Sequence, residues 1–247
     1  MNLSNNTILL TGGATGIGLA LAERLQAAGS QVIAVGRRLD KLQAAQQRIP
    51  GLLTYQADLA HPAARVALAA WVKREHPALN VLLNNAGISH QVTIADIGAS
   101  LDAWEQERQE LAINLEAPIH LSALLLPHLQ GKPGATILTV SSALAFAPYA
   151  ATPVYCATKA ALHSFTLSLR YQAAPLGVAV VEIIPPLVQT DLGGPGTYSG
   201  GVPADAFADG VLARIAAGEQ EVGYGLSEPW RLATREQLDA YFQQMNP

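Results

Sequence analysis

Short apolar runs alternate with longer stretches of helical spacing along almost the whole chain. Thr7–Thr11, Gln31–Val35, Leu52–Ala57, Val81–Asn84, Ala135–Ser141 and Val178–Ile184 read as strands, with Glu221–Leu226 as a seventh. Between them, helical spacing predicts Ile17–Ala28, Asp40–Arg48, a helix from near Pro62 to Glu75, Leu101–Leu129, Tyr155–Ala173, Pro203–Ala217 and Arg231–Gln244. Gly29 closes the first helix, while Pro77 and Pro175 stop two later ones. Such alternation predicts an α/β protein: a Rossmann-like, doubly wound parallel sheet of about seven strands with helices on both faces. No repeat, low-complexity tract or linker interrupts the series. A single domain over 1–247 is expected, with a glycine-rich cofactor half over about 1–130 and a catalytic and substrate half over about 131–247.

Composition narrows the function classes. Half of the 247 residues are apolar, enough for a large core, and the mean hydropathy is mildly positive. Charges interrupt every long apolar run before the ~18 residues that a membrane span needs. The start, Met-Asn-Leu-Ser-Asn-Asn, has no secretory signal, so a cytoplasmic globular protein without membrane insertion is expected. A net charge of −4 without a basic block excludes a nucleic-acid partner from the expectations. One cysteine and six histidines without paired spacing give no metal site.

Chemistry enters at the first strand end. Gly12-Gly-Ala-Thr-Gly-Ile-Gly18 links Thr7–Thr11 to the first helix. A glycine-rich turn there presents backbone N–H groups and a helix N-terminus to a pyrophosphate, through Gly12, Thr15, Gly16, Ile17 and Gly18. The second strand ends Val35-Gly-Arg37-Arg38, with no acid to bind a ribose 2′-hydroxyl and two arginines able to accommodate a 2′-phosphate. NADP(H) is therefore favoured over NAD(H). Asp58-Leu59, closing the third strand, reads either as an edge for the adenine or as an N-cap for the helix near Pro62; both can hold. Asn84-Asn85-Ala86-Gly87 suits a tight backbone approach to a ligand. His90 beyond it is read as a loop histidine, exposed or in reach of the substrate. Asn114 is a poor choice inside a helix, and Pro118 removes a donor four residues on, so a kink is expected there. That kink either frees the Asn114 carbonyl for a water beneath Lys159 or is a packing irregularity.

Tyr155 and Lys159 stand four apart on a helix and share one face. A phenol titrates near about 10, and an adjacent ammonium lowers that value toward the working range of an acid–base catalyst. Ser142, across a loop from them, can hold a carbonyl or alcohol oxygen beside Tyr155. Thr190 follows the sixth strand, and the glycine-rich loop Asp191–Val202, containing Pro195, reads as a substrate lid or as a plain surface connection. Cys156 reads as a small buried hydrophobe.

These residues, taken in combination, resemble the short-chain dehydrogenase/reductase family of the classical type over nearly the whole chain. The matches are Thr11-Gly-Gly-Ala-Thr-Gly-Ile-Gly18, Asn84-Asn-Ala-Gly87, Asn114, Ser142, Tyr155-x-x-x-Lys159 and Thr190. The resemblance implies that Ser142 positions the substrate oxygen, Tyr155 is the acid or base, Lys159 lowers its pKa and holds the ribose, and Asn114 supports a proton relay. It also implies that Asn85, Ala86 and Gly87 line the cofactor, with Val188 and Thr190 beside the carboxamide. Ser141 is the neighbour of the catalytic serine and not its counterpart. Pro185-Pro186 departs from the family's Pro-Gly, which puts the backbone near the nicotinamide in question. Ala117–Leu129 and Ala151–His163 resemble the branch named for D-alanine esterification of lipoteichoic acid, a name that identifies no hydride acceptor. A homodimer or homotetramer through the two long helices is implied as well.

The expected activity is NADP(H)-dependent interconversion of a carbonyl and an alcohol on a small-molecule substrate, with Tyr155 as acid or base. Two alternatives stand beside it. One is a nucleotide-binding regulatory or accessory protein with little turnover, to which Pro186 lends support; the other is an isomerase or dehydratase on the same scaffold.

Overall fold

A computed structural model describes residues 1–194 and 199–247. The first half runs β1 (Thr7–Thr11), α1 (Gly16–Ala27), β2 (Gln31–Gly36), α2 (Leu39–Arg48), β3 (Leu53–Gln56), α3 (Pro62–Glu75) and β4 (Val81–Asn84). Next come α4 (Ile94–Ile97), α5 (Leu101–Leu111), a π-helical turn (Ala112–Glu116), α6 (Ala117–Leu129) and β5 (Thr136–Val140). The chain continues through α7 (Pro153–Ala173), β6 (Ala179–Ile184), α8 (Ala204–Ala216), β7 (Glu221–Gly223), α9 (Ser227–Arg231) and α10 (Arg235–Met245).

Among the described residues the seven strands form one parallel sheet in the order β3-β2-β1-β4-β5-β6-β7. Successive strand residues alternate between two cores. Ile8, Leu10, Val32, Ala34 and Leu83 pack under α1, α2 and α8, whereas Leu9, Ile33, Val35, Leu82 and Ile137 pack under α3, α6 and α7. Both faces are thus dry, the reason these strands read as unbroken apolar runs. Strand order reverses between β1 and β4, so a crevice opens beyond their C-terminal ends.

Several boundaries differ from the expectations. The helix expected over Leu101–Leu129 is continuous, and the irregularity expected at Asn114 is a π turn between α5 and α6 instead of a proline kink. Pro118 is the second residue of α6, directly after the π turn. The terminal helix expected over Arg231–Gln244 starts later, as α10 behind Thr234, whose side chain forms a capping box with Gln237; α9, which ends at Arg231, is absent from the expectations. α4, absent from the expectations, is capped likewise by Thr93 and Asp96. α7 starts at Pro153, before Tyr155, and β7 stops at Gly223. The remaining ends move by a residue or so, the ordinary fraying of termini. Among the described residues no helix is long and apolar enough to cross a membrane.

Candidate active site

The glycine turn is shaped by close contact with the end of β4. Gly12 has φ +67°, and a Cβ there would stand 2.9 Å from both the Ala86 Cα and the Asn85 Nδ2. At Gly18 a Cβ would overlap the Gly12 carbonyl oxygen, so α1 starts flush against the turn. The Thr11 hydroxyl accepts from the backbone N–H groups of Asn85 (3.0 Å) and Ala86 (3.1 Å). In return, the Asn85 amide donates to the carbonyls of Thr11 (3.0 Å) and Gly12 (3.2 Å). Thr15 takes the N-cap of α1 without a side-chain bond, which leaves the first-turn N–H groups of Gly16, Ile17 and Gly18 directed at the crevice. A Cβ at Gly16 would meet the Thr190 methyl at 3.0 Å, so the loop after β6 closes this cradle from the other side.

Arg37 and Arg38 are exposed at the end of β2. The Arg37 guanidinium stands 4.0 Å from Asp58, with its side chain 59% exposed. Asp58 is not the N-cap of α3; that position is His61, and Asp58 accepts the Ala60 N–H at 3.0 Å in a local turn. Three residues, Leu59 to His61, separate Asp58 from the first residue of α3, which puts its side chain outside the N-cap position. Leu59 turns its side chain into the core.

Gly87 brings the cradle to the catalytic candidates. A Cβ at Gly87 would lie 3.4 Å from the Asn114 Oδ1 and 3.8 Å from the Lys159 Nζ. The Asn114 side chain clamps Ile88 on both sides, donating to its carbonyl (2.8 Å) and accepting its N–H (2.9 Å). Its amide also reaches the Thr158 hydroxyl at 3.4 Å. A π turn holds this polar side chain at the point where three segments converge.

Ser142 is the N-cap of the short turn Ala143–Ala145, and its hydroxyl oxygen accepts the Leu144 N–H at 3.1 Å. Tyr155 and Lys159 are buried side by side on α7, the Lys159 ammonium 5.6 Å from the phenol ring centre. That ammonium donates to the Val140 carbonyl at 2.8 Å, two residues before Ser142. Burial pulls the Lys159 pKa down to about 8, with Glu110 and then Glu182 opposing the fall. Pro185 contributes its carbonyl to the Ala143 N–H at 2.9 Å, which ties the Pro185-Pro186 corner to the serine turn. Val188 is buried and bridges to Val202; the Gln189 N–H also bonds Val202. The expected lid falls partly outside the described residues, since it contains 195–198.

Other polar groups escaped sequence reasoning. Glu182, wholly buried in β6, accepts from Ser141 (2.5 Å) and meets His163 on α7 at 2.8 Å. That carboxylate raises the His163 pKa. Glu107 and Glu110 on α5 are buried too, and Glu110 bonds both the ring (2.9 Å) and the N–H (3.0 Å) of His90. The signal for these acids was their spacing: Glu107, Glu110 and Asn114 stand three and four apart, on one helix face. A cleft lined by Gln91, Val92, Thr93, Ile94, Asp96, Ala150 and Ala151 opens next to His90, between the loop after β4 and the loop before α7.

Residues 6–197 match the family described as short chain dehydrogenase. An uncharacterized oxidoreductase, DltE, of Bacillus subtilis (strain 168) is 43% identical over 252 residues, covering 100% of this chain and 98% of that protein. An NADP-dependent 3-hydroxy acid dehydrogenase, YdfG, of Salmonella typhi is 33% identical over 73% of this chain and 72% of its own. Among solved structures, a short-chain dehydrogenase from Sphingobium yanoikuyae in complex with NADPH superposes with a TM-score of 0.81 at 25% identity, covering 98% of this chain and 95% of that one.

Proposed function

The chain belongs to the short chain dehydrogenase family, and on that premise we propose that it is an NADP(H)-dependent oxidoreductase interconverting a carbonyl and an alcohol. The observation that carries this reading is the buried Lys159 ammonium beside the Tyr155 ring, anchored on the strand that leads into Ser142.

The cradle fits a dinucleotide. Glycines whose Cβ positions are already filled, the open first turn of α1, and Thr190 opposite it form a shallow, donor-rich trough at the switch point. Gly12, Thr15, Gly16, Ile17 and Gly18 would hold the pyrophosphate, and Asn85, Ala86, Gly87, Val188 and Thr190 would line the remainder. Arg37 and Arg38 would meet a 2′-phosphate, with Asp58 and Leu59 at the adenine edge; NADPH or NADP in related structures supports that preference. When bound, the nicotinamide supplies or accepts a hydride at the substrate carbon. Tyr155 donates its phenolic proton to the substrate oxygen in reduction and takes it back in oxidation. The Ser142 oxygen already accepts from Leu144, so its own proton is left to hold that substrate oxygen. Lys159 favours the phenolate, and Asn114 keeps the Gly87–Ile88 segment at the right distance from it.

The 3-hydroxy acid dehydrogenase among the relatives supports a substrate with a secondary alcohol or ketone. Exposed Leu101 and Trp104 on α5, with Leu167 and Tyr171 on α7, support a homodimer or homotetramer through these helices. NADPH oxidation against ketones, aldehydes and quinones, repeated with Tyr155→Phe, tests the reading. Loss of turnover by about 10²-fold or more with NADPH binding intact is expected; near wild-type turnover refutes the role of Tyr155.

A further inference from the structure

The side of β5 that packs under α7 turns polar at its C-terminal end. Beyond Ile137 on that side come Thr139 and Ser141, two residues apart and both buried. The Thr139 hydroxyl meets the Thr166 hydroxyl of α7 at 2.9 Å. Ser141 donates to Glu182 Oε1 of β6 at 2.5 Å, and the other oxygen of Glu182 meets the His163 Nδ1 of α7 at 2.8 Å. Taking a carboxylate out of water is costly, and apolar side chains of like size would hold a helix on a sheet at least as firmly. What a fully bonded polar seam adds is direction, because its groups are satisfied at one register whereas apolar packing tolerates slippage.

That register is the one the chemistry needs. Tyr155, Lys159 and His163 stand at successive turns along one face of α7, and Lys159 bonds the Val140 carbonyl. Ser142 follows Ser141 directly, between the backbone bonds of the Ser141 N–H to Ile183 and of the Ala143 N–H to Pro185 (2.9 Å each). The His163 ring also lies 4.8 Å from the ring of Phe146, the residue that closes the short turn Ser142 opens. One imidazole thus reaches both ends of the serine turn: Ser141 by way of Glu182, and Phe146 directly. We propose that Ser141, Glu182 and His163 set the register of this active site, fixing the Ser142 hydroxyl against the Tyr155 phenol. They act through Ser142 and so are positioning residues; the inference rests on the oxidoreductase reading and on the roles it gives Ser142 and Tyr155.

Wild-type turnover is measured first, and a wild type that oxidises no NADPH with any ketone, aldehyde or quinone sinks both readings. Given turnover, Ser142→Ala is expected to lower kcat by roughly 10²-fold, as loss of an oxyanion donor does. Ser141→Ala is expected to lower it by roughly tenfold with NADPH affinity within about twofold, since the donor remains but is misplaced. Added to Ser142→Ala, the Ser141→Ala change should cost less than about twofold more, because no hydroxyl is left to misplace. A general loosening of the fold would instead multiply the two losses. His163→Asn puts an amide N–H where Nδ1 stands and is expected to recover most of the kcat that His163→Ala loses. Independently of activity, 15N shifts of the His163 ring in the cofactor-free protein are expected to show its proton kept on Nδ1 when the ring is neutral, the tautomer that Glu182 selects. Multiplied losses in the double variant overturn the inference while the oxidoreductase reading stands. So does a Ser141→Ala protein with wild-type kcat, a His163→Asn protein no better than His163→Ala, or a neutral His163 with its proton on Nε2.

Discussion

Replacing Lys159 with methionine should make the protein more stable and catalytically dead. The side chain is buried, and desolvation drags its pKa from an ordinary 10.5 to about 8. At ~1.4 kcal/mol per pKa unit, holding the ammonium in place costs about 3 kcal/mol at neutral pH. Methionine fills a similar volume without charge but strands the Val140 carbonyl, which returns roughly 1–2 kcal/mol of that gain. A net stabilisation of about 1–2 kcal/mol corresponds to a Tm rise of roughly 4 °C for a chain this long. The pH dependence has a definite sign. Because the folded-state pKa is below the unfolded one, the unfolded chain holds the extra proton between about 8 and 10.5, and the wild type gains stability as pH rises through that window. The advantage of Lys159→Met is thus full below pH 8 and reverses above 10.5, where only the cost of the stranded Val140 carbonyl remains. Calorimetry on both cofactor-free proteins at neutral and alkaline pH measures it. A variant less stable than wild type at neutral pH, or a gap that does not narrow on the alkaline side, refutes the reasoning.

Three other outcomes follow from the same contacts. Gly18→Ala drives a methyl into the Gly12 carbonyl; about 1–3 kcal/mol of overpacking should weaken NADPH binding at least about tenfold in a fluorescence titration. Arg37→Ala should lower the NADPH-to-NADH ratio of kcat/KM by about tenfold or more, since a hydrogen bond to a charged group contributes ~1.5–3 kcal/mol. An unchanged ratio removes its role. Glu182→Gln should destabilise the fold by about 3 kcal/mol at pH 5, where His163 is charged, and less at pH 8. The raised His163 pKa means the pair's contribution is complete below about 6.5 and is lost as pH climbs through the folded value; urea denaturation at the two pH values reads this directly.

Much of this architecture is visible in the chain itself because parallel strands covered on both faces leave uninterrupted apolar runs, as at Ile8–Leu10 and Val32–Val35. The glycine turn and the Tyr155–Lys159 pair are local, so spacing alone placed them on one strand end and one helix face. The π turn was out of reach: a periodicity near 3.6 cannot distinguish one extra residue in a turn from a kink at Pro118. The buried acids were missed for another reason. Glutamates at Glu107 and Glu110 ordinarily mark a solvated helix face, and their burial depends on α7 and the loop after β4 closing over them. Glu110 with His90, Glu182 with His163, and Asn246 with Ala150 join residues 20, 19 and 96 apart, where no local pattern exists to read.

The winding around Asn114 sets a limit on how this chain can vary. A π turn carries one residue more than an α-helix over nearly the same arc, so deleting one of Ala112–Glu116 would restore ordinary coiling and leave Leu121, Leu125 and Leu129 against the sheet. What the deletion would remove is the local widening that sets the Asn114 amide against both backbone groups of Ile88. Residue count in that span is therefore coupled to the chemistry and not to the core: a shortened chain should still fold while losing the clamp on the segment after β4.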